Sequence, residues 1–128
     1  MRHLLAIGAL LVFAPATGAS AEGDPAAGQR VFNQCRACHS IEAGQPNRVG
    51  PNLHGVIGRK AGSVDGFRYS NAMRQKGEEG LVWTVETLTP YLRNPREFVP
   101  GTNMAFPGIR NDKQLEDVIA YIKQASGG

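Results

Sequence analysis

The run Cys35-Arg36-Ala37-Cys38-His39 constrains this chain more than any other stretch. Two thiols three positions apart, on one turn of helix, can each add across a vinyl group of a single macrocycle. The imidazole that follows then lies beneath the metal, where a ring nitrogen serves as a fifth ligand. This is the attachment pattern of a c-type haem. Two other uses of the pair compete with it. A redox dithiol of the thioredoxin kind wants a βαβ pattern around the motif, and none is visible. A structural zinc site needs four donors, and Cys35, Cys38 and His39 leave it one short unless His54 joins them.

The N-terminus reads as an export leader. Arg2 and His3 form a short basic region, Leu4 to Ala14 an apolar one, and Ala19-Ser20-Ala21 a small-residue cleavage site. An uncleaved membrane anchor is the competing reading. Pro15, Thr17, Gly18 and Ser20 oppose it, because they interrupt the run well short of the ~20 apolar residues a spanning helix needs. Cleavage after Ala21 divides the chain into a signal peptide, residues 1–21, and one exported domain, residues 22–128, placed in the periplasm. An oxidising compartment would close an idle thiol pair into a disulfide, and haem capture is one way to use that pair.

A domain this small is marginal for building a core from protein alone. A haem at its centre supplies the missing apolar volume and stabilises the fold that binds it. The 16 glycines and 8 prolines predict many turns and little sheet. Asp24-Pro25 opens a first helix as N-cap and first position, running through Phe32 into the Cys motif. Ser70 or Asn71 caps a short helix ending at Gly77, a natural C′ residue. Thr84 with Glu86 opens a third that carries Leu88, Tyr91 and Leu92 and stops at Asn94-Pro95, with Pro90 awkward inside it. Leu115, Val118, Ile119 and Ile122 then fall on one face of a last helix, with Asp112 near its start and Lys123 near its end. The fold class is all-α: three to five helices with long loops wrapped around one haem, and no strand.

Function turns on the sixth iron position, since an open one permits ligand binding or catalysis. Outside the leader the chain offers Met73, Met104 and His54. Met73 lies at a helical position, where methionine is usually a core filler. His54 sits in a turn-rich loop and is expected at the surface. Met104 lies in Pro100-Gly101-Thr102-Asn103-Met104-Ala105-Phe106-Pro107-Gly108, a loop fixed at both ends by proline and glycine. A weak thioether donor needs a rigid loop, so Met104 is favoured over His54 and Met73.

The chain resembles the class I c-type cytochromes, in the branch of bacterial cytochrome c2 and mitochondrial cytochrome c. The resemblance rests on Gly28 and Phe32, the Cys35–His39 motif, Val49-Gly50-Pro51-Asn52-Leu53-His54-Gly55, Gly58-Arg59-Lys60 and Gly66-Phe67-Arg68-Tyr69. It continues through Trp83, Tyr91-Leu92, Asn94-Pro95, the Met104 loop and Tyr121. It implies one haem c linked to Cys35 and Cys38, with His39 and Met104 as axial ligands. Pro51 would present its carbonyl to the other ring nitrogen of His39. Arg59, Tyr69 and Trp83 would hydrogen-bond a buried haem propionate. Tyr91 would lie against the Met104 sulfur, Thr102 and Asn94 would brace the loop, and Phe106 would pack at the exposed haem edge. Gly28, Phe32 and Tyr121 would join the first and last helices.

Three departures from the family pattern stand out. Met73 occupies a place where many relatives carry asparagine near the buried propionate, which also makes it a rival sulfur. Glu78-Glu79-Gly80 reads as a short insertion forming a longer surface loop. The basic ring around the haem edge is thinner and arginine-weighted, with Gln34 and Asn103 at two of its places and Arg48, Arg96 and Arg110 at others.

The resemblance implies a monomeric one-electron carrier, not an enzyme, with no stable membrane insertion. Its partners would be a quinol-oxidising cytochrome complex on one side and an oxidase or photosynthetic reaction centre on the other. The alternatives are a haem enzyme or gas-binding module with a displaceable sixth ligand, or the dedicated electron acceptor of one dehydrogenase. Net charge is +3 for the full chain, and loss of Arg2 with the leader leaves +2. So mild a balance, with no basic run, does not suit nucleic acid; it suits transient, salt-sensitive protein docking. The exported protein should have the intact mass of residues 22–128 plus one haem. A mass that retains residues 1–21 would contradict cleavage after Ala21.

Overall fold

Asp24 and Pro25 begin the first helix as their chemistry predicts. In the computed structural model, which describes residues 8–12 and 23–127, the Asp24 side chain accepts a hydrogen bond from the Ala26 N–H. Pro25, with no N–H to satisfy, opens α1 (Pro25–Phe32). The cleavage site Ala19-Ser20-Ala21 and the new terminus Glu22 lie outside the described residues. Among the described residues no helix is long and apolar enough to cross a membrane.

The remaining helices are α2 (Asn71–Glu78), α3 (Val85–Arg93), α4 (Pro95–Phe98) and α5 (Asp112–Ala125). No strand forms among the described residues; one isolated antiparallel bridge joins Lys60 to Val82. The all-α expectation stands, with four local corrections. First, α1 ends at Phe32, and the Cys motif lies in the turns that follow rather than in the helix. Those turns keep helical spacing, with Cys35 N–H on the Phe32 carbonyl at 2.8 Å and His39 N–H on the Cys35 carbonyl at 2.9 Å.

Second, α2 is capped by Ser70 but runs through Gly77 instead of stopping there. Gly77 is buried, and a Cβ on it would collide with the Ala61 carbonyl, so this glycine serves close approach. The positive-φ residue that turns the chain out of α2 is Gly80, at +101°. Glu78 and Glu79 accordingly finish and cap the helix. Third, the capping box of α3 closes between Thr84 and Thr87, with Glu86 exposed beside it. Pro90 is accommodated because the carbonyl it cannot bond belongs to exposed Glu86, where water can substitute. Fourth, Asn94-Pro95 does not only end α3. Asn94 caps Glu97 and Pro95 supplies the first position of α4, a single turn.

The helix pair α1 and α5 anchors the fold. Phe32 is fully buried, its ring 5.2 Å from that of Tyr121. A Cβ on Gly28 would collide with the Asp117 carbonyl, so only glycine allows the helices to lie this close. The expected apolar face of α5 is present, with Leu115, Val118, Ile119 and Ile122 all buried. Asp117, 4% exposed, accepts from the Asp24 backbone N–H at 2.8 Å and from Lys113 Nζ at 3.0 Å. The long loops replace regular backbone pairing with side-chain bonds, as buried polar backbone requires. Asn52 alone donates to the carbonyls of Glu42 and Gln45 and accepts from the His54 N–H.

Those hydrogen bonds, first the Asp24 N–H and then Lys113, hold the Asp117 carboxyl below its ordinary value. A depressed folded-state pKa contributes stability that is present above the unfolded value and lost as pH falls through the folded one. Denaturant midpoints should therefore drop as pH falls below about 4. Asp117→Asn should be less stable at neutral pH and show a shallower acid limb. Parallel curves for the two proteins would refute this clasp.

Candidate haem site

The site is built from the motif outward. Cys35 and Cys38 are free, partly buried thiols. Burial, with Cys38 adding to it, pushes the Cys35 thiol up to about 11. That is the wrong direction for a redox dithiol, whose attacking sulfur needs a lowered pKa. Among the described residues no three His, Cys, Asp or Glu side chains gather as a metal cluster, so the zinc reading finds no donor set.

His39 is held from two sides. Its Nδ1 lies 2.7 Å from the Pro51 carbonyl, the partner the resemblance implies. With Nδ1–H donating there, Nε2 keeps its lone pair for a metal. Burial pulls the imidazole below its ordinary range, against the opposing pull of the Pro51 bond. The neutral ring is the form that ligates. Gly50 packs on the face of this ring so closely that any Cβ would strike it. Gly50 N–H also bonds the Cys38 carbonyl at 2.9 Å, so one residue ties the ring and the motif together.

Met104 is positioned by a second group. The Tyr91 hydroxyl donates toward its sulfur at 3.6 Å, and the Met104 N–H donates to Thr102 Oγ1 at 3.2 Å. Tyr91 is itself buried and packed 4.7 Å from the Trp83 ring. Thr102, Tyr91 and Met104 thus stand together as the resemblance implies. Asn94 does not join it, because its side chain is used to cap α4.

Arg59, Tyr69 and Trp83 are also brought into one region. Trp83 N–H donates to the Arg59 carbonyl at 2.8 Å, and Arg59 and Tyr69 perturb one another electrostatically. The guanidinium donates to the Asn52 carbonyl at 3.0 Å and to that of His54. Its other N–H groups remain available to an anion. Met73 is buried in the core, and His54 is exposed, as expected.

A haem fits this arrangement. Two thiols at attachment spacing, an imidazole with Nε2 unengaged and a thioether beside Tyr91 are the donor set it needs, and Cys35, Leu53, Ile57, Leu81, Phe98, Met104 and Phe106 are partly buried apolar side chains packed against the core. Two features escaped sequence reading: Gly50 as a ring support, and Arg48, whose guanidinium donates to the carbonyls of Arg36 and Ala37 at 2.7 and 3.2 Å. Neither has a local signal, because each acts on residues about a dozen positions away. Replacing Gly50 with alanine should drive His39 from the Pro51 carbonyl and cost about 1–3 kcal/mol of stability, as overpacking does. A chemical denaturation midpoint equal to that of the unmutated protein would contradict this.

Comparison with known proteins agrees with the geometry. The sequence profile of the family described as Cytochrome c matches residues 25–126. A protein named cytochrome c2 from Afifella marina is 51% identical over 98 residues, covering 77% of this chain and 79% of that protein. Cytochrome c2 from Blastochloris viridis is 44% identical over 115 residues, covering 90% and 88%. Among solved structures, cytochrome cH from Methylobacterium extorquens superposes with a TM-score of 0.72 at 45% identity, covering 80% of this chain and 99% of that one. With Cys35 and Cys38 spaced for two thioether links, the chain is an electron carrier with one covalently bound haem c, and it belongs to the cytochrome c family.

Proposed function

We propose that the protein is a diffusible, monomeric one-electron carrier of the periplasm, with His39 and Met104 closing both axial positions of its iron. One observation carries the reading: two donors are prepared independently, His39 by Pro51 and Met104 by Tyr91. The haem, when bound, supplies a ferric/ferrous couple. Every other requirement falls on the chain. Pro51 fixes the His39 ring and raises its basicity, and Gly50 stops it turning. Tyr91 and Thr102 orient a donor too weak to hold its own position. Arg59, Tyr69 and Trp83 neutralise and hydrogen-bond a propionate that would otherwise be costly to bury. Phe106 covers the exposed edge. A thioether ligand favours the ferrous state and a high potential.

With both positions closed, no site remains for a substrate, so the reading includes no enzymatic step. An exported location follows from the leader, residues 1–21. Donor and acceptor would be a quinol-oxidising cytochrome complex and an oxidase or photosynthetic reaction centre, in keeping with the cytochrome c2 relatives. The oxidised protein should show the far-red sulfur-to-iron charge-transfer band, and Met104→Ala should lose it while its reduced form binds carbon monoxide. A band absent from the unmutated protein, with rapid carbon monoxide binding, would mean an open sixth position and overturn the carrier reading.

A further inference from the structure

Arg36 stands between the two cysteines, at a position the attachment pattern leaves free. Its side chain makes three contacts. Nη2 donates to the Tyr121 hydroxyl at 2.7 Å, and Nη1 donates to Glu42 Oε1 at 2.9 Å. The guanidinium carbon lies 5.2 Å from the centre of the Phe32 ring. Phe32 and Tyr121 are the aromatic pair that joins α1 to α5. The spacer residue is therefore tied to the aromatic contact between α1 and α5. On the other side of the same turn, Arg48 donates to the Arg36 and Ala37 carbonyls, and Gly50 donates to that of Cys38. All three spacer-side carbonyls from Arg36 to Cys38 thus accept from the loop that also supports His39.

We infer that Arg36 is a positioning residue for the haem: by clamping the Cys35–Cys38 spacer to Tyr121 and Phe32, it holds the His39 side of the site against solvent and thereby raises the reduction potential. A lone exposed ion pair with Glu42 is worth little. What distinguishes this arginine is its planar fork, which serves two partners at once while stacking on a ring. Lysine, a single point charge, cannot reproduce that geometry. The inference concerns how the haem is held on the His39 side and does not depend on Met104 ligation.

The test uses the haem-loaded protein and the variants Tyr121→Phe, Arg36→Ala, Arg36→Lys and the double Arg36→Ala/Tyr121→Phe. Tyr121→Phe is decisive because it keeps the ring on Phe32 and removes only the hydroxyl that Arg36 bonds. Its potential should fall, through water admitted to the loosened turn, and Arg36→Ala should shift it the same way. The double variant should shift less than the sum of the two, as coupled partners do. Arg36→Lys should recover only part. Amide exchange at Cys38 and His39, whose N–H groups bond the Cys35 carbonyl, should quicken about tenfold in Tyr121→Phe and Arg36→Ala, the loss of a charged hydrogen bond. Unchanged potentials in both single variants, whatever the loss of stability, would overturn the inference, as would shifts that add. The far-red band of the same samples reports separately on Met104, so failure of one reading is distinguishable from failure of the other.

Discussion

Close approach of α1 to α5 at Gly28 is the constraint from which the rest of the structure hangs. Because no Cβ intervenes, the first helix lies against the Asp117 backbone, and Phe32 seats fully buried on Tyr121. The Phe32 carbonyl then receives the N–H groups of Cys35 and Arg36, which start the motif turn. The Cys35 carbonyl receives those of Cys38 and His39 and completes it. A covalent attachment site is thereby suspended directly from the helix pair. Small errors in helix packing would pass straight into the direction of the His39 ring, which Gly50 and Pro51 fix from the opposite side.

Met104 depends on a different framework. Tyr91 projects from α3, packed on Trp83 and near Phe98 of α4. Gly108 sits where a Cβ would strike the Arg93 carbonyl, pinning the far end of the Met104 loop to α3. Backbone bonds between Gly58, Arg59 and Trp83 join this framework to the loops of the His39 side. Two frameworks, one holding His39 and the other Met104, suit the proposed carrier, whose ligands should not rearrange as the electron moves. A catalyst would instead need one half to yield.

Local signals were legible and long-range ones were not. Asp24, Ser70, Thr84 and Pro25 announced helix starts because capping involves residues two or three positions apart. The period of Leu115, Val118, Ile119 and Ile122 announced α5 for the same reason. Gly77 misled, since a glycine needed for contact with Ala61 looks in sequence like one that ends a helix. The one-turn α4 was hidden because Asn94-Pro95 reads as a stop as readily as a start. At the site, the Cys35–His39 spacing and the Pro-Gly brackets of the Met104 loop pointed to the chemistry unaided. Pro51, Tyr91 and Thr102 came only through family resemblance, and the structure brings each to the group it was expected to serve. Arg36, Arg48 and Gly50 act through contacts between distant segments, which neither spacing nor resemblance displayed.

Central to this account is an iron whose two axial donors stay in place in both oxidation states. X-ray absorption at the iron edge, recorded on the oxidised and the reduced protein, tests that most directly. One sulfur neighbour among nitrogens is expected in both states, with nearly unchanged distances. A sulfur neighbour missing from either state, or replaced there by a lighter atom, would contradict it.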